Sequence, residues 1–319
     1  MSTFYVDRKG SELSMESGVL VVRAGNARQT IPVALLDRLV IAAKTRLDTS
    51  LLNRLAEAGV SVILLDCHRS RRRAQLLGSG HNDASVRIAQ YHVSLDPELC
   101  LAWTRPLVAA KLLRHRRMLK GLHDVRREWK KFLDAAVGFL QELETKALNA
   151  EDLVQLRGYE GSAGRCFFDV YHKLFPTSLQ FTGRLRRPPP DPVNATLSLA
   201  YSLLHARAVQ SAWSAGLDPM IGFYHQIAWG RESLACDLIE PWRPCIDHWV
   251  YEWFRDRWLE AKHFSMNGEN CRLSKAGRER FFGAFELRMR PVHRALRFQI
   301  RVLAQTLRKE VFPLCNRSI

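Results

Sequence analysis

The sequence predicts an α+β protein of two domains: a small N-terminal β-rich domain over residues 1–80, followed by a larger all-α domain over residues 81–319. Three observations lead there. Runs rich in β-branched residues, broken by Gly, Asn and Pro, fill the first eighty residues. A polar, glycine-containing segment, GSGHNDA at 78–84, then has linker composition. Beyond it, apolar residues recur with the helical period. A chain of 319 residues also suits about two domains, at ~150 residues each.

Taken in order, FYVD, GVLVVRAG and QTIPVALLDRLVIAA read as strands and turns. DTSLLNRLAEAG reads as a short helix, capped by Asp48 or Thr49 and stopped by Gly59. VSVILLD has the length and apolarity of a strand, and AQLLG is a second one beyond the basic bend HRSRRR. A doubly wound sheet competes with this reading, but no G-x-G-x-x-G turn is present and too few α/β units follow. Past the linker, Asn82 or Asp83 caps a helix through RIAQYHVSL. PLVAAKLLRHRRMLKGL follows with Leu107, Ala110, Leu113 and Leu119 as its apolar stripe, and segments 124–148 and 150–156 continue the pattern. A helix over 194–209 carries Leu197, Ala200, Tyr201, Leu204 and Ala208 on one face. PWRPCIDHWVYEWFRDRWLEAK aligns Trp242, Ile246, Trp249, Val250, Trp253 and Phe254, and packing is the simplest role for those tryptophans.

Forty-eight Lys and Arg against 32 Asp and Glu leave a net charge of +16 and a pI near 9.9. The basic residues cluster, so the surplus predicts a polyanionic partner, and nucleic acid above all. In LRRPPPDPVN, prolines fix an extended path that is expected to hold Arg184, Arg186 and Arg187 clear of the core for phosphate contacts. Arg243 is a further candidate for DNA contact. MSTFYVDRKGSEL lacks the apolar core of a secretory signal, and no run approaches the ~18 apolar residues of a membrane span, so no membrane partner is expected. Seven cysteines without any C-x-x-C pair argue for reduced thiols in a cytoplasm and against structural zinc.

The chemistry gathers in IGFYHQIAWGRESLACDLIEPWRPCID, residues 221–247, and in LRGYEGSAGRCFF upstream. His225 precedes Glu240 by fifteen residues, Asp237 lies between them, and Glu160 sits between a Gly-containing turn and a small-residue helix start. Two carboxylates and an imidazole suit Mg²⁺ or Mn²⁺, with the imidazole tilting the balance toward Mn²⁺. Spacing alone does not decide it. A histidine on an apolar helix is commonly a satisfied structural residue, and a glutamate before Pro241 is commonly a solvated helix end. Asp237 fits a second ligand, an acid behind the ligands, or an ion-pair partner for Arg243.

GYEGSAGRCFF, FTGRLRRPPPDPVNATLS, GFYH and DLIEPWRPCID occur in that order, and together they resemble the first CRISPR-associated protein family, the endonuclease and integrase of spacer acquisition. The resemblance covers nearly the whole chain. It implies an N-terminal β-domain that dimerises, a helical catalytic domain, and assembly with the small second CRISPR-associated protein. The substrates implied are double-stranded and branched DNA. Carried over residue by residue, it makes Glu160, His225 and Glu240 the metal ligands, with Asp237 in support. Gly164 and Trp242 depart from the family pattern, where alanine and phenylalanine are usual, and neither is a ligand. The implied reaction is metal-dependent transesterification, in which a 3′-hydroxyl attacks a phosphodiester. A non-catalytic nucleic-acid binder and a hydrolytic, structure-selective DNase are the competing readings.

Overall fold

A computed structural model describes residues 2–66, 71–78, 81, 83–122, 129–185 and 188–315. The expected cap Asn82, the start of the basic bend HRSRRR, and Arg186 and Arg187 lie outside the described residues.

Two four-stranded sheets form first. Strands β1 (Ser2–Val6), β5 (Leu36–Ile41) and β7 (Ser61–Asp66) run parallel, with β8 (Arg71–Leu76) antiparallel at the edge. β8 begins three residues before the expected AQLLG. The second sheet has the order β4 (Ala27–Pro32), β3 (Val19–Ala24), β2 (Ser11–Glu16), β6 (Thr45–Arg46). Ser17 and Gly18, both at positive φ, make the two-residue turn that pairs Glu16 with Val19. Helix α1 (Thr49–Glu57) is capped by Asp48, whose carboxylate accepts from Leu51 N at 2.9 Å.

Alternation along the first sheet gives it two buried faces. Leu39, Ile41 and Val62 join Leu51 and Leu55 of α1 and Leu13 and Leu20 of the second sheet. Val40, Ile63 and Leu65 point the other way, into the main helical core.

The helices are α2 (Ser85–Leu95), α3 (Pro97–Gly121), α4 (Lys130–Leu148), α5 (Leu153–Tyr171), α6 (Pro192–Ser214), α7 (Ser233–Ile239), α8 (Arg243–Arg255), α9 (Lys275–Thr306) and α10 (Phe312–Cys315). Between α8 and α9 runs a hairpin, β9 (Phe264–Asn267) and β10 (Asn270–Leu273), so the second part is not purely helical. Gly268, at φ +62°, and Glu269 make the two-residue turn that pairs Asn267 with Asn270. Among the described residues no helix is long and apolar enough to cross a membrane.

Three helices differ from expectation in ways that position the site. α3 buries Leu101, Thr104, Val108, Leu112, His115 and Leu119, a stripe that keeps the predicted Leu119 but is rotated away from the predicted Leu107, Ala110 and Leu113. The buried face carries polar side chains that serve the site, so hydrophobicity alone selected its neighbour. α5 starts at Asp152, which caps Val154 N and Gln155 N. Glu160 therefore sits in mid-helix and not at a turn, with Gly158, Gly161 and Gly164 accommodated as ordinary helical residues. α6 is buried nearly all round instead of along one stripe, which makes it the central helix of the fold. On α8, Ile246, Val250, Trp253 and Phe254 are buried as expected, with Trp242 and Trp249 packed against them.

Candidate active site

A cavity of about 120 Å³ is walled by Lys111 and His115 of α3, Glu160 of α5, Arg184, Tyr201 of α6, His225, Glu240, and Arg243 and Asp247 of α8. The structure thus brings together Glu160, His225 and Glu240, which are separated by 65 and 15 residues of chain. His225 Nε2 lies 3.9 Å from Glu240 Oε1.

Glu240 occupies the single 3₁₀ turn that joins α7 to α8, in an αR conformation (φ −53°, ψ −46°) that the following proline disfavours. It is 6% exposed, so it is not a solvated helix end. Burial alone would raise its pKa, but Arg243, Lys111 and His225 outweigh burial and hold the carboxyl well below the usual carboxylate range.

Asp237, on α7, does not wall the cavity. Its Oδ2 accepts from Phe223 N at 2.7 Å and Tyr224 N at 3.0 Å; its Oδ1 accepts from His225 N at 2.9 Å and lies 2.6 Å from His225 Nδ1. Gly222 makes the close approach possible, because a Cβ there would meet Asp237 Oδ2 at 2.7 Å. Arg243 pairs with Glu240 at 2.8 Å rather than with Asp237.

Lys111 escaped the sequence reading. Its ammonium donates to Glu160 Oε1 and, at 2.7 Å, to Glu240 Oε2. Burial opposes its charge, yet Glu240 and Glu160 outweigh burial and raise its pKa. His115, one turn along α3, places Nε2 3.1 Å from Asp247 Oδ2, and Tyr201 donates to Asp247 Oδ1. Burial pushes His115 below its ordinary value against the pull of Asp247. A lysine and a histidine four residues apart on one helix face were the available signal.

Arg184 is not held clear of the core. Its guanidinium turns into the cavity, donating to Leu185 O at 2.7 Å, Asn194 Oδ1 at 2.8 Å and Ser198 Oγ at 3.1 Å. Asn194, fixed by the α6 cap Asp191, supplies the acceptor that pulls it inward. Arg184 and Arg243 both lie over the Tyr201 ring, at 5.5 and 4.8 Å.

The sequence profile described as CRISPR associated protein Cas1 matches residues 4–287. The chain belongs to the Cas1 family. This Cas1 chain is 36% identical over 290 residues to CRISPR-associated endonuclease Cas1 1 of Thermodesulfovibrio yellowstonii, covering 90% of this chain and 91% of that one. It is 32% identical over 291 residues to CRISPR-associated endonuclease Cas1 3 of Thermus thermophilus, covering 89% and 84%. Cas1 relatives of this similarity are endonucleases, and that is the enzyme class of this chain. In fold it resembles a casposase bound to integration product, with TM-score 0.85 and 21% identity over 97% of this chain and 91% of that one. It also resembles part of a Cas6-RT-Cas1–Cas2 complex, with TM-score 0.84 and 21% identity over 98% of this chain and 35% of that one.

The donor set of this Cas1 site fits a divalent cation. Two carboxylates and an imidazole face one small cavity, and the carboxylates already accept a positive charge between them, that of Lys111. As placed, no three His, Cys, Asp or Glu side chains among the described residues are grouped closely enough to hold a metal ion, and the Lys111 ammonium stands between Glu160 and Glu240.

Proposed function

We propose that this Cas1-family protein is a metal-dependent DNA endonuclease and integrase. It inserts short DNA into a CRISPR array by attack of a 3′-hydroxyl on a phosphodiester. The observation that carries the reading is the convergence of Glu160, His225 and Glu240, from three separate elements, on one cavity. Those three residues would hold Mg²⁺ or Mn²⁺, which when bound polarises a phosphodiester and lowers the charge its displacement builds up.

The chain's own residues have defined parts. Asp237, an acceptor when ionised, requires the proton of His225 on Nδ1 and so leaves the Nε2 lone pair facing the cavity. Nε2 can then ligate a cation or take the proton of an incoming hydroxyl. Arg243 and Lys111 keep Glu240 ionised, and together with Arg184 they offset the charges of Glu160, Glu240 and Asp247 in the cavity wall. No side chain needs to form a covalent intermediate.

The net charge of +16 suits double-stranded and branched DNA as substrate. A homodimer through the strand-rich residues 1–80, and assembly with the small Cas2 protein, follow from the family resemblance. A non-catalytic binder would have no use for buried acids that converge on a histidine. Product analysis separates integration from simple hydrolysis. A branched or nicked repeat substrate, with Mn²⁺ and a DNA carrying a free 3′-hydroxyl, is expected to yield joined strands. Shortened strands alone would make the protein a hydrolytic DNase.

A further inference from the structure

We infer that Trp229 is a base-stacking residue that receives an unpaired nucleobase of the DNA strand entering the active site; the inference rests on the DNA-joining reading above. Trp229 is 103% exposed, more than any other large apolar side chain among the described residues. The indoles of Trp213, Trp242 and Trp258, by contrast, each donate to an acceptor, Gly78 O, Gln299 Oε1 and Arg280 O.

Its loop is built rather than loose. Asp237 gathers the N–H groups of Phe223, Tyr224 and His225 at one end. Ser233 Oγ donates to Gln226 O at 3.0 Å and closes the base of the loop. Arg231 N donates to Ala228 O at 3.0 Å, and Gly230 at φ +68° turns the chain so that Trp229 stands at the tip. Glu232 is held by Arg72. The same short loop begins at His225, so Trp229 Cα lies no more than ~14 Å from His225 Cα, four residues of extended chain. A nucleotide or two of single strand spans that distance.

An indole left wholly in water, on a braced loop that begins at His225 in the cavity wall, presents a flat apolar face to whatever the cavity binds. For the polyanion that a net charge of +16 attracts and that the proposed reaction joins, the matching flat apolar group is a base. Ile227, 60% exposed on the same loop, extends that apolar surface.

The test uses full-length protein and duplex DNA with a short single-stranded 3′ overhang carrying 2-aminopurine. Fluorescence is read in a Glu160→Ala background, so that binding is scored whether or not the protein joins strands. Stacking on Trp229 should quench the probe on binding; Trp229→Phe should keep most of the quench and Trp229→Ala should lose it. In the otherwise wild-type protein, Trp229→Ala should raise the KM for the overhang DNA about tenfold and move kcat less than twofold. Blunt duplex should be bound equally by both. Unchanged quench and KM in Trp229→Ala overturn the inference. So does a Trp229→Ala protein that keeps its DNA affinity but changes its sedimenting mass, since the indole would then cover another copy of the chain. If no variant and no wild-type protein joins strands, the integration reading fails, while the quench still decides Trp229.

Discussion

His225 Nδ1 lies 2.6 Å from Asp237 Oδ1, and the same carboxylate receives three consecutive backbone N–H groups from Phe223 to His225. One buried acid thereby sets the ring orientation, the tautomer and the path of the loop. Asp237→Asn keeps the shape but presents an N–H where an acceptor is needed. It is expected to lower Mn²⁺ affinity and strand transfer by about 10–100-fold while far-UV circular dichroism stays unchanged. Titration calorimetry with Mn²⁺ checks this, and an unchanged affinity would return Asp237 to a purely local role.

Lys111 stands between Glu160 and Glu240, so removing its charge leaves two facing carboxylates short of a cation. Lys111→Met is expected to cost roughly 3 kcal/mol in metal-free buffer, the scale for breaking a buried ion pair. Mn²⁺ should then raise the Tm of the variant by more degrees than it raises that of the wild type. Equal shifts in a thermal melt would mean that the cation does not bind between these carboxylates.

His205 is held low, at about 4, chiefly by burial, which outweighs the attraction of Glu232 3.5 Å away. Because the folded-state value lies below the unfolded one of about 6.5, the unfolded chain binds the extra proton. The stability from this group is full above pH ~6.5 and is lost as the pH falls toward 4. Chemical denaturation should find the protein about 2 kcal/mol less stable at pH 5 than at pH 7 from this source. In His205→Gln that loss should shrink by the same amount, and an equal acid sensitivity in the variant would refute it.

Glu160 shows how local composition misleads. Gly158 reads as part of a turn and Gly161 to Gly164 as the start of a helix, yet Asp152 starts the helix well before them and neighbouring elements supply its packing, so all three glycines are carried within it. A Cβ at Gly161 would meet nothing within 4 Å. Gly161→Ala is therefore expected to stabilise the protein by about 1 kcal/mol and raise Tm by ~2–4 °C. A drop in Tm would contradict the mid-helix placement.

Strong local signals carried the legible part of the fold. The β-branched runs, the Asp48 cap and the helical periods placed most strands and helices, and four ordered motifs pointed to the three side chains that share the cavity. What escaped depends on tertiary contacts. Lys111 and His115 lie on a helix face that hydrophobicity ranks second, and only the fold shows that this face is buried against acids. Arg184 has the charge and neighbours of a phosphate contact, but Asn194 and Ser198 draw its guanidinium inward. Trp229 lies in the same motif as His225, and its full exposure follows from loop geometry that no periodicity encodes.

Glu160, His225 and Glu240 are proposed to hold one divalent cation, and a crystal structure with Mn²⁺ is the sharpest test of that site. A single anomalous peak is expected within coordination distance of an oxygen of each glutamate and of His225 Nε2, with the Lys111 ammonium moved out from between the carboxylates. A peak elsewhere, or a Lys111 bridge that persists in a crystal form shown to support Mn²⁺-dependent strand transfer, would contradict it.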